Sequence, residues 1–254
     1  MRTTESTEDS VARDPSSKIR LAAVGDLHCR EDHHGRFRQL VKQVNASADL
    51  LVLCGDLTDR GMAEEGKVLA EELSALRVPC AAVLGNHDYE HGQVKEICSE
   101  LSKVGVHILD GDHFIFEKVL GVAGVKGFGG GFGNATLQAF GEGQTKSFVQ
   151  EAVAESLKLE AALSHLDTPK KVVIMHYSPI PETLEGENIE IRPFLGTSRL
   201  AMPIDHYRAE VVFHGHAHHG TREGKTRGGI PVYNVAMPLM AKHTPDQRFA
   251  LLEI

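Results

Sequence analysis

The sequence predicts an α/β fold, a mostly parallel β-sheet with helices packed outside it. Short apolar runs recur along the chain, each flanked by glycine or polar residues, as buried strands are. Between them lie segments with apolar residues at i, i+3, i+4 and i+7, the spacing of an amphipathic helix. Strand alternating with helix is the pattern of βαβ units. Of 254 residues, 41% are hydrophobic and 24% charged, which supplies a sizeable core.

The elements follow in order. Residues 1–17 are polar and read as a disordered tail, leaving 18–254 as a single domain. Leu21–Val24 is the first expected strand, and Phe37, Leu40, Val41 and Val44 mark a helix after it. Leu50–Cys54 and Ala81–Leu84 repeat the strand signal. Leu69, Leu73 and Leu76 follow the helical spacing loosely, and Val94, Ile97, Cys98 and Leu101 follow it closely. Gly121–Gly133 holds seven glycines and two phenylalanines and reads as a loop or a close backbone approach. Lys146 to His165 is helical, Val172–Met175 a strand, and Ser178–Thr197, with three prolines, a long loop. Val211–Phe213, Val232–Ala236 and Phe249–Ile254 complete the strands, with turn signals at Gly228-Gly229 and Pro238.

Composition excludes several classes. Lys and Arg number 27 against 35 Asp and Glu, so the net charge of −8 offers no footprint for extended nucleic acid or an anionic membrane. No apolar run approaches the roughly 18 residues of a membrane span. Cys29, Cys54, Cys80 and Cys98 show no CxxC spacing, and the N-terminus lacks an apolar signal region. Both features favour a cytoplasmic protein. Gly61–Lys67 matches GxxxxGK, but Val68 stands where a phosphate loop needs Ser or Thr, so that motif is rejected. Cys29, beside His28, reads as an ordinary loop cysteine.

Each apolar run ends in a polar cluster. In order these are Gly25-Asp26-Leu27-His28, Gly55-Asp56 through Asp59-Arg60, Gly85-Asn86-His87-Asp88, His176, and His214-Gly215-His216-Ala217-His218. In open α/β sheets ligands sit beyond the carboxyl ends of the strands. Five segments therefore deliver Asp26, His28, Asp56, Asn86, His176, His216 and His218 to one rim. Alone, each cluster is a common turn; all five in order are not. Carboxylate, imidazole and carboxamide without thiolate suit Mn, Fe, Zn or Co better than calcium. Seven donors exceed one tetrahedral ion and fit two ions about 3.5–4 Å apart sharing a carboxylate. In DxH, residues i and i+2 share a face. The two imidazoles of GHxH can each take one ion. His214, at the strand end, is expected in the core or behind the donors.

The order DxH, GDxxD, GNHD, H, GHxH resembles that of the calcineurin-like metallophosphoesterase superfamily, over Asp26 to His218. The resemblance implies a four-layer αββα sandwich with two mixed sheets. It implies that Asp26, His28, Asp56 and His218 hold one metal, that Asp56 bridges, and that Asn86, His176 and His216 complete a second. Two divalent or trivalent ions (Mn, Fe, Zn or Co) are the implied cofactors. Attack on a small phosphoester, a monoester or diester such as a nucleotide, would come from a hydroxide bridging them. His87 would protonate the leaving group, Asp59 would orient His87, and Arg60 would contact a phosphate oxygen. The Gly121–Gly133 and Ser178–Thr197 loops, with Phe128 or Phe132 as an apolar wall, are expected to shape the pocket. Gly55–Gly61 is also similar to the protein serine/threonine phosphatases, which carry GNHE where this chain has Gly85–Asp88. A non-catalytic metal-binding scaffold is the remaining alternative.

Overall fold

The computed structural model describes residues 17–254, so the expected tail lies, except for Ser17, outside the described residues. The chain runs β1 (Arg20–Val24), α1 (Arg38–Ser47), β2 (Leu50–Cys54), α2 (Ala63–Leu73), β3 (Cys80–Val83), α3 (Val94–Lys103) and β4 (Val106–Ile108). It continues through β5 (Asp112–Phe116), β6 (Leu120–Val125), α4 (Gly143–Ser164), β7 (Lys170–Met175), α5 (Arg192–Leu195), α6 (Ala201–Tyr207) and β8 (Val211–His214). The last elements are β9 (Glu223–Lys225), β10 (Pro231–Asn234), α7 (Met237–His243) and β11 (Ala250–Glu253).

These strands build two mixed sheets rather than one. The first has the order β11-β1-β2-β3-β4, and the second β5-β6-β7-β8-β10-β9. Neighbouring strands of β1 to β4 are parallel, with β11 antiparallel on β1. In the second sheet β6, β7, β8 and β10 are parallel, with β5 and β9 antiparallel at the edges.

Alternation along each strand produces the layers. Leu21, Ala23, Leu50, Val52 and Val83 face Val122, Val172, Ile174, Val211 and Phe213 between the sheets. Ala22, Val24, Leu51, Leu53 and Ala82 turn the other way and pack on Leu40, Val41, Leu69, Leu73, Ile97 and Leu101 of α1, α2 and α3. Ala123, Val125, Val173, Met175 and Val212 pack on Leu159, Leu163 and Ile204 of α4 and α6. The result is an αββα sandwich, as the resemblance implies. No helix among the described residues is long and apolar enough to cross a membrane.

The structure corrects the glycine-rich segment. Residues 120–125 are strand β6, paired with both β5 and β7; only the part from Lys126 onward is loop. Glycine serves there because of packing. A Cβ on Gly124 would lie 2.7 Å from Leu109 Cβ and 2.8 Å from Val83 Cγ1, inside the layer between the sheets. Pro238 is also not a turn residue: it stands in the first turn of α7, where its missing N–H breaks no helical bond. The Gly61–Lys67 segment ends the loop after β2. Its buried Glu65 carboxylate accepts the Arg60 N–H at 2.8 Å and the Met62 N–H at 3.3 Å, so an acid occupies the backbone donors that a phosphate loop would offer.

The packing around Gly124 sets a stability expectation. Gly124→Val should destabilise the protein by about 1–3 kcal/mol through overpacking between the sheets. Gly143→Ala, where a Cβ meets nothing within 4 Å, should be neutral or stabilising by up to about 1 kcal/mol. Urea unfolding of both variants checks this; equal effects would mean that the sheet-to-sheet contact is not tight.

Candidate metal centre

The rim beyond β1, β2, β3, β7 and β8 is built from strained backbone. Among the described residues, Asp26, His28, Asp56 and His216 have φ of 57°, 43°, 47° and 70°. That left-handed region is unfavourable for residues with a Cβ, and such strain concentrates at functional sites. All four are candidate metal ligands. Asp26 and His28 do share a side, as the DxH spacing predicts, but through left-handed turns rather than an extended i, i+2 pair. Backbone bonds hold the turns: Asp26 N–H donates to Gly55 O at 2.9 Å and His28 N–H to Asp56 O at 3.0 Å.

The glycine preceding each motif residue has a steric reason. A Cβ on Gly85 would collide with Asp56 Oδ1, and one on Gly215 with Asp26 Oδ2. On Gly55 (φ 82°) it would lie 2.5 Å from His176 Nδ1, and on Gly25 2.9 Å from Cys54 O. The motifs interlock: each bare backbone makes room for a donor delivered by another strand.

The His and carboxylate donors gather in three groups, two of them made of expected ligands alone and a third that joins His28 to Asp59 and His87. Asp26, His28 and His218 each place a ligand atom within 4.8 Å of the others, and so do Asp56, His176 and His216. The two GHxH imidazoles thus fall in different groups. Asp56 lies between the groups, with His176 Nε2 3.3 Å from Oδ1 and His28 Nε2 3.8 Å from Oδ2. Asn86 Oδ1 is 2.9 Å from His176 Nε2. The Cys54 carbonyl, 3.0 Å from His176 Nδ1, accepts a proton from that nitrogen. This bond orients the ring with Nε2 toward the donors, as in metal-ligating histidines.

Both ring nitrogens of His28 are buried without a hydrogen-bond partner. An unsatisfied buried polar atom costs about 1–3 kcal/mol, and here its lone pair faces carboxylates. A cation among these donors satisfies both. Charge balance agrees. Burial keeps His28 below its ordinary pKa and, with His176, pushes His216 down to about 3, which favours the neutral imidazole that a metal would need. Burial opposes charge on His176 as well, but Asp56 outweighs it and holds that imidazolium up to about 9. His218, hydrogen bonded at 2.9 Å to Asp26, is likewise raised against its burial. Burial would raise the Asp56 carboxyl, and His176 instead holds it well below the usual carboxylate range.

His87 lies beside the groups, its ring 4.6 Å from that of His28. Its Nδ1 is 2.6 Å from the backbone carbonyl of Asp59. The Asp59 carboxylate, in one group with His28 and His87, is bound by Arg30 Nε at 2.8 Å and lies 3.4 Å from His28 Nδ1. Asp59 thus orients His87 through its main chain. Arg60 is exposed, its carbonyl 2.7 Å from His91 Nδ1.

Two residues escaped sequence reasoning. Asp88 is fully buried and accepts from Leu57 N, Thr58 N, Thr58 Oγ1 and Gly85 N at 2.6–3.2 Å, tying the GNHD turn to the loop after β2. Burial, then Asp56, pushes its carboxyl up to about 6. The signal was its place in GNHD, where His87 and Asn86 drew attention first. Tyr177, following His176, packs its ring 4.4 Å from that of His216 and carries no motif signal. His214 is buried, as expected, with Nε2 2.8 Å from Thr183 Oγ1. Burial, then Glu65, pushes the Cys29 thiol up to about 12, which makes it unreactive.

The expected pocket loops part company. Phe128 packs on Phe148 and Tyr177, at 4.8 and 5.8 Å, toward the helical layer over the second sheet. Phe132 lines a cavity of about 680 Å³ with Pro179, Ile180, Arg199, Met202 and Arg227, and none of the seven candidate ligands lines it.

Residues 19–220 match the family model of the calcineurin-like phosphoesterases. No curated protein sequence matches the chain. Among solved structures, a phosphopantetheinyl hydrolase from Mycobacterium tuberculosis is similar at a TM-score of 0.65 and 18% identity, over 91% of this chain and 95% of that one. A protein of Thermus thermophilus is similar at 0.60 and 16% identity, over 94% of this chain and 99% of that one. Likeness at these identities is one of fold.

The geometry makes Asp56 and Gly85 the sensitive positions. Asp56→Asn and Gly85→Ala should each lower the metal bound per chain by half or more relative to the unmodified protein, measured by elemental analysis after loading and desalting. Unchanged metal content in both variants would remove Asp56 from the candidate ligands.

Proposed function

The chain belongs to the calcineurin-like phosphoesterase family, and from that premise we propose that it hydrolyses a small phosphoester with two metal ions. Asp26, His28, Asp56 and His218 would hold one ion, and Asn86, His176 and His216, with Asp56 shared, the other. The observation that carries this reading is the pair of His–Asp groups that meet at Asp56. When bound, such ions supply Lewis acidity at the phosphoryl oxygens and lower the pKa of a water into the neutral range. The nitrogen and oxygen donors of this chain suit Mn, Fe, Zn or Co.

The side chains beside the groups do the rest. The Asp59 carbonyl holds the proton on His87 Nδ1, which leaves Nε2 facing the cleft. Protonated on both nitrogens, His87 gives its Nε2 proton to the departing oxygen. Arg60, exposed beside it, takes a non-bridging phosphate oxygen with its guanidinium. With a net charge of −8 the chain favours a small substrate over extended nucleic acid. The domain spans 18–254, and its four free cysteines suit the reducing cytoplasm, where we place it.

Loading the protein with Mn, Fe, Zn, Co or Mg and assaying nitrophenyl phosphate and bis(nitrophenyl) phosphate tests the reading. No hydrolysis with any metal would overturn it. His87→Ala should keep both ions and slow turnover of an alkyl ester by about 10²–10⁴-fold, since a poor leaving group needs the proton most. The nitrophenyl esters should lose less. Equal losses would assign His87 to holding the phosphate.

A further inference from the structure

Lys126 follows directly on β6 and belongs to the same rim as the ligand groups. Its carbonyl accepts the His176 N–H at 2.9 Å and the Tyr177 N–H at 3.2 Å. Its ammonium sits in a cage of aromatic faces, 4.8 Å from the ring centre of Phe128, 5.5 Å from Tyr177 and 5.7 Å from Tyr89. The cage adjoins the candidate metal centre on two sides: the Tyr177 ring packs on His216, and Tyr89 stands two residues after His87. Tyr89 is 41% exposed and Tyr177 buried at 8%, so the cage opens to solvent on its Tyr89 side.

The charge in this cage lacks a counter-ion. The one oxygen that Lys126 Nζ meets is the Gly127 carbonyl, at 2.8 Å, and among the described residues no carboxylate lies in ion-pair range of it. Glu155, the acid that acts on it most strongly, is already bound by Lys158 Nζ at 2.8 Å and by the Gly127 N–H at 2.7 Å. Aromatic faces hold a cation in place, but they neither neutralise it nor use its remaining N–H donors. A half-buried lysine with spare donors, one ring away from a phosphate-binding centre, is placed to receive an anion.

We propose that Lys126 determines specificity by binding a second anionic group, a carboxylate or a phosphate, on a substrate whose scissile phosphate lies at the Asp26–Asp56 donors. The aromatic body between the two anions would rest against Tyr177 and Tyr89. This assignment rests on the phosphoesterase reading above and adds the substrate class to it: organic phosphates with a second negative charge roughly one aromatic ring from the first.

Three ligands of similar shape separate charge from size: 4-carboxyphenyl phosphate, 1,4-phenylene bisphosphate and 4-carbamoylphenyl phosphate, whose para substituent is uncharged. Affinity is read from the ligand-induced shift in Tm, and kcat/KM on the metal-loaded protein in parallel. The wild type should favour each dianionic ligand over the carbamoyl analogue by about tenfold, the strength of one charge-assisted hydrogen bond. The ratio of the two dianionic ligands tells whether carboxylate or phosphate is preferred. Lys126→Met, which keeps the apolar stem in the cage, should bring the preference near one, and Lys126→Arg should keep most of it. A wild type without preference, or a Lys126→Met variant that retains it, would overturn the assignment while leaving the phosphoesterase reading intact. If none of the three binds or is hydrolysed while a nitrophenyl ester is turned over, the assignment falls and the phosphoesterase reading stands.

Discussion

A carboxylate buried where two sheets meet must be compensated, and Asp56 is compensated from two directions. The His87 N–H donates to its Oδ1 at 2.9 Å, and His176 Nε2 lies 3.3 Å from the same oxygen. Desolvating a charge is costly enough that partial compensation would leave the group neutral or the turn unfolded. The surrounding rim follows from this requirement. Gly85 lacks a side chain because Asp56 fills that space, Asp56 itself accepts a left-handed φ of 47°, and Asp88 holds the neighbouring loops together.

That arrangement also explains how a fold of small, regular strands comes to carry so much charge at one edge. Leu50–Cys54 is buried on both faces, and so are the ends of β1 and β3. A polar side chain at such a strand end has no water to fall back on. It reaches a partner from a neighbouring strand or it is expelled. Parallel strands bring their carboxyl ends to the same edge, so the partners available are the residues that follow the other strands. At this edge both ring nitrogens of His28 are buried without a hydrogen-bond partner.

The second sheet shows the limits of pattern. Val172–Met175 and Val211–Phe213 were legible as strands, but runs buried on both sides say nothing about which sheet they join. Its antiparallel edges β5 and β9 are short or half-exposed and give weak signals. Gly121 and Gly124 pointed to a loop because glycine disfavours strands in isolation; close packing between layers reversed that preference. The αββα arrangement was available only through the likeness of the motifs to a known family.

What the sequence by itself determined was the inventory: the five clusters, the glycine before Asp26, Asp56, Asn86 and His216, and the alternation that carries them to one edge. These are local matters, fixed by strand length and by which residue follows the last apolar one. Tertiary structure decided how the donors divide. It set His216 with Asp56 and His218 with Asp26, gave Asp59 a main-chain hold on His87 and its carboxylate to Arg30, and enclosed Lys126 among rings drawn from three segments. Those outcomes depend on left-handed turns and on contacts between distant residues, such as the His216 N–H on Asp26, 190 positions apart. Spacing along a chain cannot encode them, because the dihedral of one residue and the packing of distant strands together set where each side chain points.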